Sequence, residues 1–451
     1  MLKRLIAVLF AVFIAAGLAG IFARQSSGQQ QRKEDHAAVV QLGERLFRDD
    51  RFSTPQGDLP ANCAHCHLLD EDPQGWRAYT DFFNRSWVSY RSQDPRRLGL
   101  RNAPTILDAA QTPRLHYDGE FGSLEDLVKG TFSGRPMGWL PGEETQALDR
   151  VRAVVLNDKG EGAASNYPQQ FKAAFDVEPE KLNREQIIDL IAKAVADFVR
   201  TLNSRQDAPY DRFITANGLE RKSAAGESGV AFTSKLLAQI SSLEAKEAIK
   251  LTKEFDGMAL AGLKIFMRTD GAQSVGNCVA CHTPPLFTDF SFHNIGISQR
   301  EYDGVHGEGK FADMQIPTAA IAHRPSAQLR EIPAIGKPNL VDLGFWNFVD
   351  LKTSTLRRAG ENDDHLLQRM TAAFKTPTLR NLKYSQPYFH DGSVATLDVV
   401  MSEMIRLSKM ARAGRVREGD EGLGRILITE AEIAPLVAFL NTLNEELKKG
   451  H

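Results

Sequence analysis

All four cysteines of the 451-residue chain fall in two pentapeptides, CAHCH at 63–67 and CVACH at 278–282. Few features restrict a fold more. A C-x-x-C pair serves a four-cysteine zinc site, a dithiol redox centre, a disulfide or a c-type haem. The dithiol reading needs a βαβ pattern nearby, and the sequence has none. Zinc and disulfides leave the histidine after each second cysteine unexplained. A c-type haem uses every part: two thiols form thioether bonds to the vinyl groups, and the next residue, His, becomes an axial iron ligand. The expected cofactors are therefore two covalent c-type haems, on Cys63 and Cys66 with His67, and on Cys278 and Cys281 with His282. His65, inside the first motif, is read as a spacer.

The N-terminus sharpens this. Lys3 and Arg4 precede an apolar run at 5–23, followed by RQSSGQQQRKED. Positive charge before an apolar run marks an export signal, and 19 residues is also just enough to span a bilayer. Residues 1–31 are expected to be an export signal or membrane anchor with a polar linker. The protein would reach the periplasm, either soluble after cleavage or anchored to the inner membrane. Free C-x-x-C pairs would tend to oxidise in such a compartment. With a net charge of −2, the chain offers no electrostatic case for a nucleic-acid partner.

The chain also repeats itself. LGERLF (42–47) and AGLKIF (261–266) each lead into a haem motif. APTILDAAQTPRLHYDGEFGSLEDL (103–127) aligns without gaps on TPTLRNLKYSQPYFHDGSVATLDVV (376–400). Each half closes on an amphipathic helix, at 186–203 and 430–444, with N-terminal capping signals at Asn183/Gln186 and Thr429/Glu432. The expectation is a mostly α fold with two class I cytochrome c-like domains, one haem each, at 32–225 and 226–451. SAAGESGVAF (223–232) reads as part of the connection and 236–255 as an added helix. Cys281 to Pro377 spans 96 residues against 38 from Cys66 to Pro104. The second half thus carries an insertion at about 295–375, whose Gly, Pro and Asp content reads as loop.

The two haem motifs, RNAPT (101–105), YDG (117–119), FKTPTLRN (374–381) and PYFHDGSVATL (387–397) together resemble the bacterial dihaem cytochrome c peroxidase family, which includes MauG-like enzymes. The resemblance implies a peroxidatic haem in the N-terminal domain. It implies an electron-transfer haem in the C-terminal domain, fed by a small cytochrome c or cupredoxin. Hydrogen peroxide is the implied substrate, and a homodimer an implied assembly.

For the second haem, the family's distal Met lies 14 residues after the His of H-D-G, which gives Met404; His390 itself would be a neighbour of the haem. MauG-like members usually carry Tyr at the Met404 position. For the first haem the chain departs from the family. No His lies between His67 and His116, so the family's loop His ligand is missing; an aromatic-rich stretch at 72–90 stands there instead. The inter-haem Trp is Tyr117. The distal Gln is Leu127, and the distal Glu position falls on Met137. Heterolysis of peroxide needs a base to move a proton between the two oxygens, and a thioether cannot serve. His116, Arg135 and the nearby carboxylates Glu143 and Glu144 are the candidates. Met137 is read either as an iron ligand or as a pocket wall. Asn102 and the carbonyls of Ser385 and Pro387 match the family's calcium site, where oxygen ligands suit Ca²⁺. Three activities follow as alternatives: peroxide reduction, MauG-like oxidation of a partner protein, or electron transfer without peroxidase activity.

Overall fold

The computed structural model describes residues 35–71, 77–80, 99–160 and 166–446. The apolar run at 5–23 and most of the aromatic stretch at 72–90 lie outside them. Among the described residues no helix is long and apolar enough to cross a membrane. The fold is mostly helical, as expected. Its strands are short pairs: Leu68–Glu71 with Arg77–Thr80, and Phe292–His293 with Phe374–Lys375.

The first core is built where the His36–Arg48 helix crosses the Arg184–Arg200 helix. Both start on side-chain caps. Asp35 accepts from Ala37 N and Ala38 N, and Asn183 with Gln186 forms a reciprocal capping box. Leu42, Leu46 and Phe47 pack against Ile191, Val195 and Phe198. The second core repeats the crossing with Gly257–Met267 against Ile433–Asn441, where Leu263 and Phe266 meet Leu436, Phe439 and Leu440. One glycine sets each crossing. A Cβ on Gly43 would lie 2.5 Å from the Ala194 carbonyl carbon, and a Cβ on Gly262 would lie 2.5 Å from that of Pro435. Gly43 and Gly262 occupy the same place in LGERLF and AGLKIF, so the sequence repeat is a repeat of helix packing.

The stretches aligned at 103–127 and 376–400 also share backbone detail, each pair 273 residues apart. Asp108 and Asn381 are both left-handed at φ 58°, and His116 and Phe389 at 62° and 65°. Bridges join Leu115 to Phe121 and Tyr388 to Val394. Ser123 then caps the Leu124–Phe132 helix, and Thr396 caps the Leu397–Arg412 helix.

The first core ends at Leu202, and Tyr210, Phe213, Ile214 and Leu219 pack into the second. The stretch at 223–232 ends inside a helix, Gly229–Ala245, capped by Ser228; this helix starts and stops earlier than the one expected at 236–255.

The insertion lies mostly outside helices and strands, as expected, yet it is packed around a core of its own. The helices Ile297–His306, Lys310–Asp313 and Asp363–Arg369 surround a third core centred on the fully buried Trp346, with Phe311, Leu343 and Leu366. Helices of ten, four and seven residues are too short to show a clear period.

Candidate haem sites

A cavity of about 420 Å³ opens between the first core and the second half, within the range of cofactor sites. The first haem motif supplies part of its wall: Cys63, Cys66 and His67. The motif sits on a short 3₁₀ turn, Cys63–His65, whose N-cap Asn62 accepts from His65 N. Across the cavity the Leu124–Phe132 helix presents Leu124, Leu127, Val128 and Thr131, one face at helical spacing. The 3₁₀ turn Arg135–Met137 follows and adds Arg135 and the buried Met137. His116 and Tyr117 line the cavity as well. The second half closes it with Leu286, Phe290, Arg330 and Lys375–Thr378.

Of the residues singled out for the first site, Cys63, Cys66, His67, His116, Tyr117, Leu127, Arg135 and Met137 are therefore brought together. Glu143 and Glu144 are not. Glu143 is spent on its own turn, accepting from Leu140 N at 2.9 Å, and exposed Glu144 accepts from Gly142 N at 3.0 Å.

The wall between the halves is ionic, and no sequence motif marks it. Arg101 reaches Asp118 at 2.6 Å and holds Asp342 of the insertion with two bonds of 2.6 and 2.7 Å. Arg330, also from the insertion, bonds Asp118 at 3.0 Å and pairs with Glu120, which faces His116 Nδ1 at 3.0 Å. Asp118 and Asp342 are fully buried. Burial alone would raise the Asp118 carboxyl, but Arg101 and Arg330 outweigh it and hold the group at about 2. Lys375 N donates to Tyr117 O at 2.8 Å and Lys375 Nζ to Arg114 O at 3.1 Å. Burial lowers this ammonium to about 8 despite the pull of Asp118. Next to Lys375, the Phe374 ring stacks on the buried His390 ring with centroids 3.5 Å apart.

The second haem motif lies against the second core. Its 3₁₀ turn, Cys278–Ala280, matches the first. His282 Nδ1 meets Phe287 O at 2.8 Å, which orients the ring and leaves Nε2 for a metal. Burial lowers the His282 pKa, favouring the neutral, ligating form. Met404 and Cys278 pack against this same core. Cys281 sits beside Asp289 and His293, and His293 is held by Asp289 at 2.8 Å and Asp420 at 2.7 Å. Burial opposes charge on His293, yet the two carboxylates raise it to about 12.

The donor sets fit two haems. None of the four cysteines is disulfide-bonded, and the two pairs lie against different cores. Burial pushes the Cys63 and Cys278 thiols up to about 12, opposite to the depressed pKa of a reactive dithiol. A calcium ion fits in part. Asn102 and Pro387 meet, with Asn102 Nδ2 2.5 Å from Pro387 O, and the buried Asn102 Oδ1 has no hydrogen-bond partner among the described residues. Two residues before Pro387, Ser385 N donates to Leu382 O at 3.2 Å.

Residues 37–218 match the family model described as "Di-haem cytochrome c peroxidase". The chain is 24% identical over 447 residues to a "Cytochrome-c peroxidase IdrP2" of Denitromonas iodatirespirans, covering 99% of this chain and 92% of that one. It is 27% identical over 408 residues to "Methylamine utilization protein MauG" of Methylorubrum extorquens, covering 90% and 78%. In fold it resembles the diheme peroxidase BthA from Burkholderia thailandensis, with a TM-score of 0.54 at 18% identity, covering 92% and 87%. The class the chain resembles is thus the dihaem cytochrome c peroxidases. Both named branches, peroxidase and MauG, appear among its relatives, each at similar distance.

Proposed function

We propose that the chain is a dihaem c-type oxidoreductase that reduces hydrogen peroxide to water with electrons from a small redox protein. The carrying observation is the cavity that gathers the first haem motif with Tyr117, His116 and Arg135 at the junction of the halves. Two cytochrome c-like domains, divided between Leu202 and Tyr210, would each hold one covalent haem. His67 and His282 would be the proximal ligands and Met404 the second distal ligand. Bound haem supplies the iron at which peroxide is reduced.

The protein's own groups then divide the work. His116, half-exposed and facing Glu120, can take a proton from one peroxide oxygen and return it to the other. Arg135 carries fixed positive charge at the wall and stabilises developing negative charge. Glu143 has no part in this reading. The juxtaposition of Tyr117 with Lys375, and of Phe374 with His390, supports an electron route between the halves through Tyr117. Asn102, Ser385 and Pro387 are the proposed calcium ligands in that same seam. The protein acts in the periplasm, its 5–23 segment directing export or anchoring it.

MauG-like oxidation of a partner protein is the second reading, favoured by the absence of His between His67 and His116. Met404 in place of Tyr favours peroxide reduction. Steady-state turnover of hydrogen peroxide with a reduced cytochrome c or cupredoxin tests the proposal. Turnover that falls at least tenfold in His116→Ala supports it. No turnover by the fully haem-loaded protein with either donor class would sink it.

A further inference from the structure

The internal repeat extends one turn beyond the sequence alignment and reaches the cavity that contains His67. Met404 is the eighth residue of the Leu397–Arg412 helix. The eighth residue of the Leu124–Phe132 helix, 273 positions earlier, is Thr131. The register between these helices is fixed by the shared left-handed residues, the paired bridges and the Ser123 and Thr396 caps. Thr131 also lines the cavity that contains His67, on the same face as Leu124, Leu127 and Val128.

We infer that Thr131 occupies, over the first haem, the place from which Met404 reaches the second haem's iron, and that this substitution keeps the first iron open to a small oxygen ligand such as water or peroxide. This rests on the reading of Met404 as a ligand. Threonine is too short and too weak a donor to ligate iron from a methionine's position. Its hydroxyl is already committed as a donor, to Leu127 O at 2.9 Å. Its lone pairs remain to accept a hydrogen bond from a protonated oxygen ligand. Met137 lies six residues further on, after the helix has ended, so it does not take over the Met404 position.

The test is low-temperature EPR of the oxidised, fully haem-loaded chain. Unsubstituted protein should show one high-spin signal beside one low-spin signal. Thr131→Met, and Thr131→His as a second ligating variant, should abolish the high-spin signal and give a second low-spin haem. Thr131→Ala, which only removes atoms, should change the imidazole affinity of the first haem at least threefold. Persistence of the high-spin signal in both ligating variants would overturn the inference. So would an unchanged imidazole affinity in Thr131→Ala, or a first haem already low-spin in the unsubstituted protein. Met404→Ala separates the underlying reading: it should convert the second haem to high-spin, and an unaltered low-spin signal there would remove the premise instead.

Discussion

Gly43→Ala and Gly262→Ala put the helix crossings to a test whose sign is informative. Alanine is the better helix former by about 1 kcal/mol, so local propensity alone makes each substitution stabilising. Packing says the reverse. The new Cβ would stand 2.5 Å from a carbonyl carbon of the facing helix, against ~3.5–4.0 Å for relaxed carbon contacts. The helices must part by about 1 Å, and such a gap forfeits a quarter to a half of each contact across it. With roughly 40 contacts of ~0.1 kcal/mol per large side chain, each loses about 1–2 kcal/mol. Two or three such residues at a crossing, Leu42, Leu46 and Ile191 in the first, make about 4 kcal/mol. Subtracting the propensity gain leaves about 3 kcal/mol of destabilisation. For a domain of this size that lowers Tm by roughly 6–12 °C. The assay is thermal unfolding of haem-loaded protein, with hydrogen exchange to locate the damage. Gly43→Ala should deprotect the His36–Arg48 and Arg184–Arg200 helices and spare the second crossing; Gly262→Ala should do the opposite. A Tm at or above that of the unsubstituted protein would refute the close-crossing argument outright.

Asp118→Asn should cost about 3 kcal/mol at pH 7, because Arg101 and Arg330 lose a buried partner. The Asp118 carboxyl lies at about 2 when folded, below its ordinary value. Its stabilisation is therefore complete above the unfolded value and is lost as pH falls through about 2. Denaturation curves of the two proteins should converge between about pH 4 and pH 2, and a constant gap would contradict the pairing. Alkaline pyridine spectra should count two haems per chain, one after Cys278→Ser/Cys281→Ser; a count of two in that variant would exclude covalent attachment there. Met404→Ala should lower the reduction potential of one haem only, read by spectroelectrochemical titration, since a thioether ligand favours the reduced iron. Chelation of calcium should loosen the seam and raise hydrogen exchange around Asn102; an identical exchange pattern with and without chelator would argue against an ion.

What could be read from the sequence was local or repeated. The cysteines and histidines of both motifs are five-residue signals, and the packing helices announce themselves by period and cap. Gly43 and Gly262 repeat because the same close approach occurs twice. The insertion reads as loop because most of it is; its core, around Trp346, stays hidden because its helices are short and its contacts have no period. The ionic seam was invisible for another reason. Arg101 and Asp342 stand 241 residues apart, and nothing along either stretch marks the other as its partner. Glu143 fits on charge and proximity in sequence, yet its carboxylate accepts from Leu140 N in its own turn and it does not line the cavity.

The closure of the first cavity by Leu286, Phe290 and Lys375–Thr378 constrains biogenesis. These residues are made between 220 and 315 residues after Cys63 and Cys66, and once docked they roof the thiols to which, on the proposed reading, a haem is joined. On that reading, haem ligation at the first motif therefore belongs before the halves dock, while the N-terminal half is still accessible. The second motif, outside that roof, carries no such deadline.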